Sequence, residues 1–272
     1  MVPPFSTITK KLRHPTQTYK YQQLRSVIQN PLVAWHNLMT RVQTWWGRYR
    51  FKWSEPTGNR IRHKLYKSYG DYVLSQREKR KRGKISQHEL LEHDRKYQGV
   101  LRKRLKERDG DIIKPGMTVL CLGARLGTEV KAFFDHGCFA VGIDLEPGEE
   151  NKYVLFGDFH QIQFPDHSVD IVFTNSLDHV FTFGALMREI KRVLKPGGFF
   201  IAEVINGTAH GFVPGFYESA VWEVVDDVIN TFLKNGFKLI KRSPIRYPWS
   251  VGGEHIAMQL PDHPTASPPA TP

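Results

Sequence analysis

The stretch Met117-Thr-Val-Leu-Cys-Leu-Gly-Ala-Arg-Leu-Gly-Thr-Glu129 limits what this chain can fold into more than any other. An apolar run breaks into a glycine-flanked loop and then into a helical pattern, which reads as strand, tight turn and helix start. A second apolar run, Phe139 to Asp144, ends in an acid 21 residues beyond Gly123. Together these are the nucleoside-binding half of a doubly wound sheet. The glycines bring backbone N–H groups close to a ligand, the helix N-terminus favours anionic groups, and the acid accepts hydrogen bonds from a ribose. A dinucleotide and S-adenosylmethionine both suit that frame. Gly123-x-x-x-Gly127 lacks the middle glycine that lets backbone meet a pyrophosphate, which favours the second.

The rest of the second half alternates in the same way. A helix is expected over about Thr128 to His136, closed by Gly137, followed by strands at Phe139–Asp144, Tyr153–Phe156, Val169–Thr174 and Phe199–Val204. A helix over Leu186 to Leu194 ends at Lys195-Pro-Gly-Gly198, another spans Tyr217 to Asn235, and Phe237–Lys241 and His255–Leu260 supply the last strands. Regular βα alternation implies a parallel sheet with right-handed crossovers.

The first half differs in charge. Residues 1–110 carry 26 Lys and Arg against 8 Asp and Glu, a balance of +18, whereas the remainder carries 13 against 19, or −6. Residues 1–59 form a basic arm with four of the six tryptophans and no acid before Glu55. Leu32, Val33, Trp35, Leu38, Met39, Val42, Trp45 and Trp46 fall near helical spacing. That pattern suits a helix packed on the main domain, an interfacial helix on an anionic membrane, or an organellar transit sequence. Residues 60–110 read as two helices forming a lid or linker. One runs over Ile61–Gln76 with Leu65, Tyr69, Tyr72 and Val73 on its face, and the other opens at the capping box Ser86-x-x-Glu89 and runs to about Arg108. The run Lys79 to Lys84 adds a candidate phosphate or nucleic-acid contact. Residues 261–272 are rich in Pro, Ser and Thr and read as a disordered tail.

Two cysteines, Cys121 and Cys138, fall inside apparent core elements, against a disulfide framework and for a reducing, cytoplasmic setting. No apolar run reaches the roughly 18 residues that a transmembrane helix needs. No His, Cys, Asp and Glu cluster has metal-ligand spacing along the chain, so no metal is expected.

Several blocks resemble the class I S-adenosylmethionine-dependent methyltransferases, most like the "type 11" branch: Val119 to Glu129, Val141-Gly-Ile-Asp144, Gly157-Asp-Phe-His160, Phe164 to Phe173, and Glu189 to Gly198. The resemblance covers about residues 113–260. It implies an α/β fold, with a doubly wound, Rossmann-like methyltransferase sheet over 111–260 (seven strands, the last antiparallel) behind the basic helical extension. It also implies S-adenosylmethionine as cofactor. Gly123, Ala124, Arg125 and Gly127 would hold its methionine portion, and Asp144 with Leu145 its ribose. Gly157, Asp158 and Phe159 would lie at the adenine, and Asn175 and Ser176 beside the methyl group. The family usually carries an acid two residues before the first motif glycine, where this chain has Cys121. A thiol cannot replace a carboxylate facing the cofactor's ammonium. Glu129 or a backbone carbonyl is left to take the role, and Arg125 is placed to pair with the cofactor carboxylate.

Methyl transfer from a sulfonium is an in-line displacement, so the protein mainly holds donor and acceptor in line. Where the acceptor must lose a proton, His179 is the leading base, with Asp178 orienting it or binding an acceptor hydroxyl. His160, Glu203, Asn206, His210 and Tyr217 are further candidates around the acceptor. A small polar molecule or glycan hydroxyl is the favoured acceptor. The rivals are an interaction or assembly protein acting through its arm and a nucleic-acid methyltransferase using residues 1–110 to reach nucleic acid or an anionic membrane surface.

Overall fold

The computed structural model describes residues 52–56, 60–82, 87–148 and 151–262, all within the compact unit Phe51–Pro272. The expectations for the arm, the capping serine Ser86 and the tail beyond Asp262 fall outside the described residues, as do the side chains of the Lys79–Lys84 run. In chain order the elements begin with β1 (Arg62–His63), α1 (Tyr69–Arg82), α2 (Gln87–Asp109), β2 (Thr118–Leu122), α3 (Thr128–Phe134), β3 (Phe139–Asp144), β4 (Val154–Phe156) and β5 (Val169–Thr174). They continue with α4 (Phe183–Val193), β6 (Leu194–Ile205), β7 (Ala220–Val221), α5 (Val225–Lys234), β8 (Lys238–Ile245) and β9 (Gly253–Gln259).

Seven strands form one sheet in the order β4-β3-β2-β5-β6-β9-β8, parallel from β4 to β6, with β9 antiparallel to both neighbours. Each face carries a core. Val119, Cys121, Ile171, Phe173 and Ile201 pack toward α2 and α3, while Leu120, Leu122, Val172, Phe200 and Ala202 pack toward α4 and α5. Alternating side chains buried on both faces explain why these strands read as unbroken apolar runs. The connections β3–β4 and β4–β5 carry no α-helix among the described residues, and Phe139, Leu155 and Phe156 are exposed at that edge.

Three expectations are corrected. Ile61–Gln76 is not one helix: Arg62 and His63 pair antiparallel with Val221 and Ala220, and the Lys64 amide donates to the Ser219 carbonyl, so α1 begins only at Tyr69. The helix expected from Tyr217 begins at Val225. Its first turn is fixed by Asp227, whose carboxylate accepts the amides of Glu223 and Val224, each at 3.0 Å, while the Trp222 indole donates to the Ile205 carbonyl. The strand expected at Phe237–Lys241 runs on to Ile245, because an edge strand tolerates Pro244 with no ladder donor.

One stripe of α2 docks on the sheet through Tyr97, Leu101 and Leu105, each buried and worth roughly 1.5–3 kcal/mol for a large apolar side chain. Beside this stripe lies a buried charged network. Arg104 bonds Glu203, the Tyr97 hydroxyl donates to Glu203 at 2.8 Å, and His255 Nε2 donates to Asp109 at 2.6 Å. His255 Nδ1 faces Glu203 at 3.7 Å, an ion-pair distance. Burial would lower the His255 pKa, but its bonds to Asp109 and Glu203 outweigh that and raise it. Burial would raise Glu203, yet His255 and Arg104 hold it below the usual carboxylate range. With its folded value raised, His255 contributes stability in full below its unfolded value near 6.5, and the contribution is lost as pH rises through the folded value. Asp109→Asn should therefore cost about 3–5 kcal/mol in urea unfolding near pH 6, as breaking a buried pair does, and the deficit should narrow as pH rises through the raised value of His255.

Candidate functional site

The sheet reverses direction of growth between β2 and β5, and ligands of open α/β sheets bind at such a switch, outside the carboxyl ends of the strands. A cavity of about 330 Å³ opens there, within the size range of small-molecule sites. Its floor comes from the residues after β2, β3 and β5: Gly123, Ala124, Arg125, Asp144, Leu145, Asn175 and Ser176. Its walls include Tyr72 and Gln76 of α1, His93, Asp94 and Tyr97 of α2, Phe159, and Trp249 of the β8–β9 loop. The acceptor candidates Asp178 and His179 line the same cavity.

The loop after β2 is clamped to the end of β3. The Gly123 and Ala124 amides donate to the Ile143 carbonyl, at 2.9 and 3.2 Å, and the Arg125 amide donates to Asp144 Oδ2 at 3.1 Å. The expected bare N–H groups are thus spent at Gly123, Ala124 and Arg125, because the tip of β3 supplies their acceptors. Asp144 also accepts the Glu146 amide at 2.8 Å on Oδ1. Each carboxylate oxygen has a second lone pair, so Asp144 keeps capacity toward the cavity it lines. Gly123 has φ +68°, and a Cβ there would sit 2.8 Å from Ser176 Oγ.

Three of the expected cofactor residues stand outside the cavity lining. Gly127, at φ +75°, is the residue before α3 and is closed over by Tyr153, which a Cβ would meet at 2.6 Å. Gly157 packs against Ile143. Asp158 accepts the Tyr69 hydroxyl and a 2.9 Å bond from His160 Nδ1, while His160 Nε2 accepts the Phe181 amide at 3.0 Å. Burial would raise Asp158, but its bonds from His160 and Tyr69 keep it below its usual range. His160 therefore braces the Gly157–Phe159 segment against the residues before α4. Arg125 is exposed at φ +35°, and its carbonyl accepts Asn151 Nδ2 at 2.9 Å.

Glu129, in the first turn of α3, lines the cavity and is 7% exposed, and burial pushes its pKa up to about 7. Its Oε1 accepts Asn175 Nδ2 at 2.8 Å, and the same amide nitrogen donates to the Tyr97 hydroxyl. Cys121 of β2 is fully buried, which raises its thiol pKa well above the usual value, and the charge of Glu129 raises it further.

At the far end, His179 Nδ1 lies 3.0 Å from the Tyr217 carbonyl. A carbonyl only accepts, so Nδ1 carries the proton and Nε2 is the basic nitrogen of the neutral ring. Nε2 stands 3.7 Å from Asp178 Oδ2. Gln76 donates to the Tyr217 carbonyl at 2.8 Å and the Tyr72 hydroxyl to the His179 carbonyl at 3.1 Å, so α1 braces this end. Folding also brings Glu218 to the pair: Asp178, His179 and Glu218 each offer a ligand atom within 4.8 Å of the others, a set hidden in sequence by the distance between His179 and Glu218. Glu203, expected near substrate, is instead buried in the α2 network, and Asn206, His210 and Tyr217 are not among the lining side chains. Tyr72, Gln76, His93, Asp94 and Trp249 were missed because they come from the helices before the sheet and the loop before its last strand.

Residues 120–202 match the family described as "Methyltransferase domain". A sterol 24-C-methyltransferase of Gibberella zeae is 30% identical over 104 residues, covering 32% of this chain and 27% of that protein. A demethylmenaquinone methyltransferase of Corynebacterium glutamicum is 33% identical over 106 residues, covering 36% of this chain and 45% of that one. The matches thus span less than half the length of either relative. Among solved structures, an S-adenosylmethionine-dependent methyltransferase from Aquifex aeolicus is 19% identical, with 61% of this chain and 97% of that one aligned at a TM-score of 0.45.

Gly123→Ala meets both a positive φ and the Ser176 wall, whereas Gly116→Ala, at φ +85° in open space, meets only the first. Thermal unfolding should show Gly116→Ala losing about 1 kcal/mol and Gly123→Ala distinctly more. The β4-β3-β2-β5-β6-β9-β8 sheet and the Gly123 loop beside Asp144 agree with the match over residues 120–202: this part of the chain carries a methyltransferase domain of the class I, S-adenosylmethionine-dependent kind, with S-adenosylmethionine the cofactor that such a domain implies.

Proposed function

We propose that this protein transfers the methyl group of S-adenosylmethionine to an oxygen of a small molecule. The observation that carries the reading is a single continuous cavity that runs from Asp144, past Gly123 and Glu129, to Asp178 and His179. Asp144 accepts the ribose hydroxyls, Phe159 borders the adenine, and Asn175 and Ser176 border the reacting methyl group. The acceptor oxygen attacks the methyl carbon, the carbon–sulfur bond breaks, and sulfur keeps the electron pair to become a neutral thioether. The acceptor's proton goes to His179 Nε2, and Asp178 stabilises the resulting imidazolium.

The cavity walls also carry the aromatic side chains of Tyr72, whose hydroxyl bonds the His179 carbonyl, and of Trp249. They support a hydroxyl borne on a flat, apolar body over the glycan expected from the sequence. The relatives named for a sterol and for demethylmenaquinone support the same preference. A second reading is favoured by the Asp178, His179 and Glu218 set, whose ligand types suit a divalent cation. A cation there would polarise the acceptor oxygen directly, and His179 would be its ligand rather than a base.

Methyl-labelled S-adenosylmethionine offered with phenols, quinols, sterols and monosaccharides tests the reading. Label is expected in an aromatic or alicyclic alcohol, and transfer only to sugars would overturn the acceptor preference. With that acceptor, His179→Ala should lower kcat by about 10²–10⁴-fold and abolish the rate increase with pH. Loss of turnover after chelation, restored by Mg²⁺ or Mn²⁺, would replace the base with the cation.

A further inference from the structure

The acids that line the cavity differ in how they are compensated. Asp94 is bonded by Lys131 and Thr128, Glu146 by Arg77, and Asp144 by two backbone amides, while Asp178 stands beside His179. Glu129 has no ion pair among the described residues, and the side chain that bonds its carboxylate is the neutral amide of Asn175. The charge of Arg125 favours the ionised form of Glu129, Asp94 opposes it, and Cys121 and Tyr97 are buried neutral neighbours. A buried carboxylate without a cation, facing a cavity, is half of an ion pair.

Strand order tells which part of the cofactor can complete it. Asp144 lies on the β3 side of the Gly123 loop, and Glu129 with Asn175 on the β5 side. S-adenosylmethionine has its ribose at one end and a charged amino-acid group at the other. With the ribose on Asp144, the amino-acid end crosses the loop toward the first turn of α3. We propose that Glu129 receives the α-ammonium of the cofactor, the role that the buried thiol of Cys121 cannot fill. This rests on the reading of the cavity as an S-adenosylmethionine site, and it makes Glu129 the residue that distinguishes the whole cofactor from fragments lacking the amino acid.

An ammonium partner favours the ionised carboxylate, so a proton leaves Glu129 on binding near neutral pH. Affinity should then rise by up to about tenfold from pH 6 to pH 8. Calorimetry with S-adenosylhomocysteine and with 5′-methylthioadenosine, which lacks the amino-acid end, tests the proposal. Wild-type protein should bind both and release a proton only with the first, as judged in buffers of different ionisation enthalpy. Glu129→Gln should weaken S-adenosylhomocysteine at least tenfold and leave 5′-methylthioadenosine within about twofold, and Cys121→Asp in that background should restore part of the loss. Equal effects on both ligands, or none, together with no proton release in the wild type, would overturn the role of Glu129 and leave the cofactor site standing. Failure of wild-type protein to bind either ligand would overturn both. The wild-type proton count decides the matter even if Glu129→Gln does not fold.

Discussion

Three amides at the end of β2 find their acceptors at the tip of β3, and the site depends on that junction. The Ile143 carbonyl takes the amides of Gly123 and Ala124, and the Asp144 carboxylate takes that of Arg125. These bonds hold the loop in a left-handed turn that Gly123 and Gly127 permit and that Arg125 adopts against its own preference. The same carboxylate lines the cavity with unused lone pairs, so the residue that shapes the loop is also the one proposed to accept a ribose.

A second constraint closes the site from the other side. Helix α2 is tied to the sheet through Arg104, Asp109, Glu203 and His255, all buried, and through Tyr97, which touches both Glu203 and the amide of Asn175. The network sets the position of His93, Asp94 and Tyr97 in the cavity wall. Charges of this kind seldom add net stability over apolar packing, because desolvation offsets their attraction. Here they connect a helix of the basic half to the cavity at Asn175, and α1 does the same beside His179 through Tyr72 and Gln76.

The sheet was legible because its signals are local. Phe139–Asp144 and Val169–Thr174 fall where apolar runs end in turn residues, and the glycine loop announces itself by spacing. What misled was order imposed from a distance. Ile61 to Lys64 has helical periodicity but is drawn out by pairing with Ala220 and Val221, more than 150 residues away. Tyr217 to Val224 looks like the start of a helix until the Trp222 indole and Asp227 are satisfied elsewhere. Glu203 sits at a strand end where ligands usually bind, and only the arrival of Arg104 and His255 shows that it is internal. The cavity's floor was readable for the same reason as the sheet. Its walls, Tyr72, His93 and Trp249, come from segments whose place no spacing rule supplies, and the neighbourhood of Glu218 and His179 exists only in three dimensions.

On the proposed function, Asp144 and the loop it clamps grip an adenosine bearing a sulfonium or its thioether product. A crystal structure of the protein soaked with S-adenosylhomocysteine tests it most directly. Both ribose hydroxyls are expected within hydrogen-bonding distance of Asp144, with the sulfur above Gly123 and pointed toward Asp178 and His179. Product bound elsewhere, or a cavity that stays empty at saturating concentration while Asp144 keeps its bonds to Arg125 and Glu146, would contradict it.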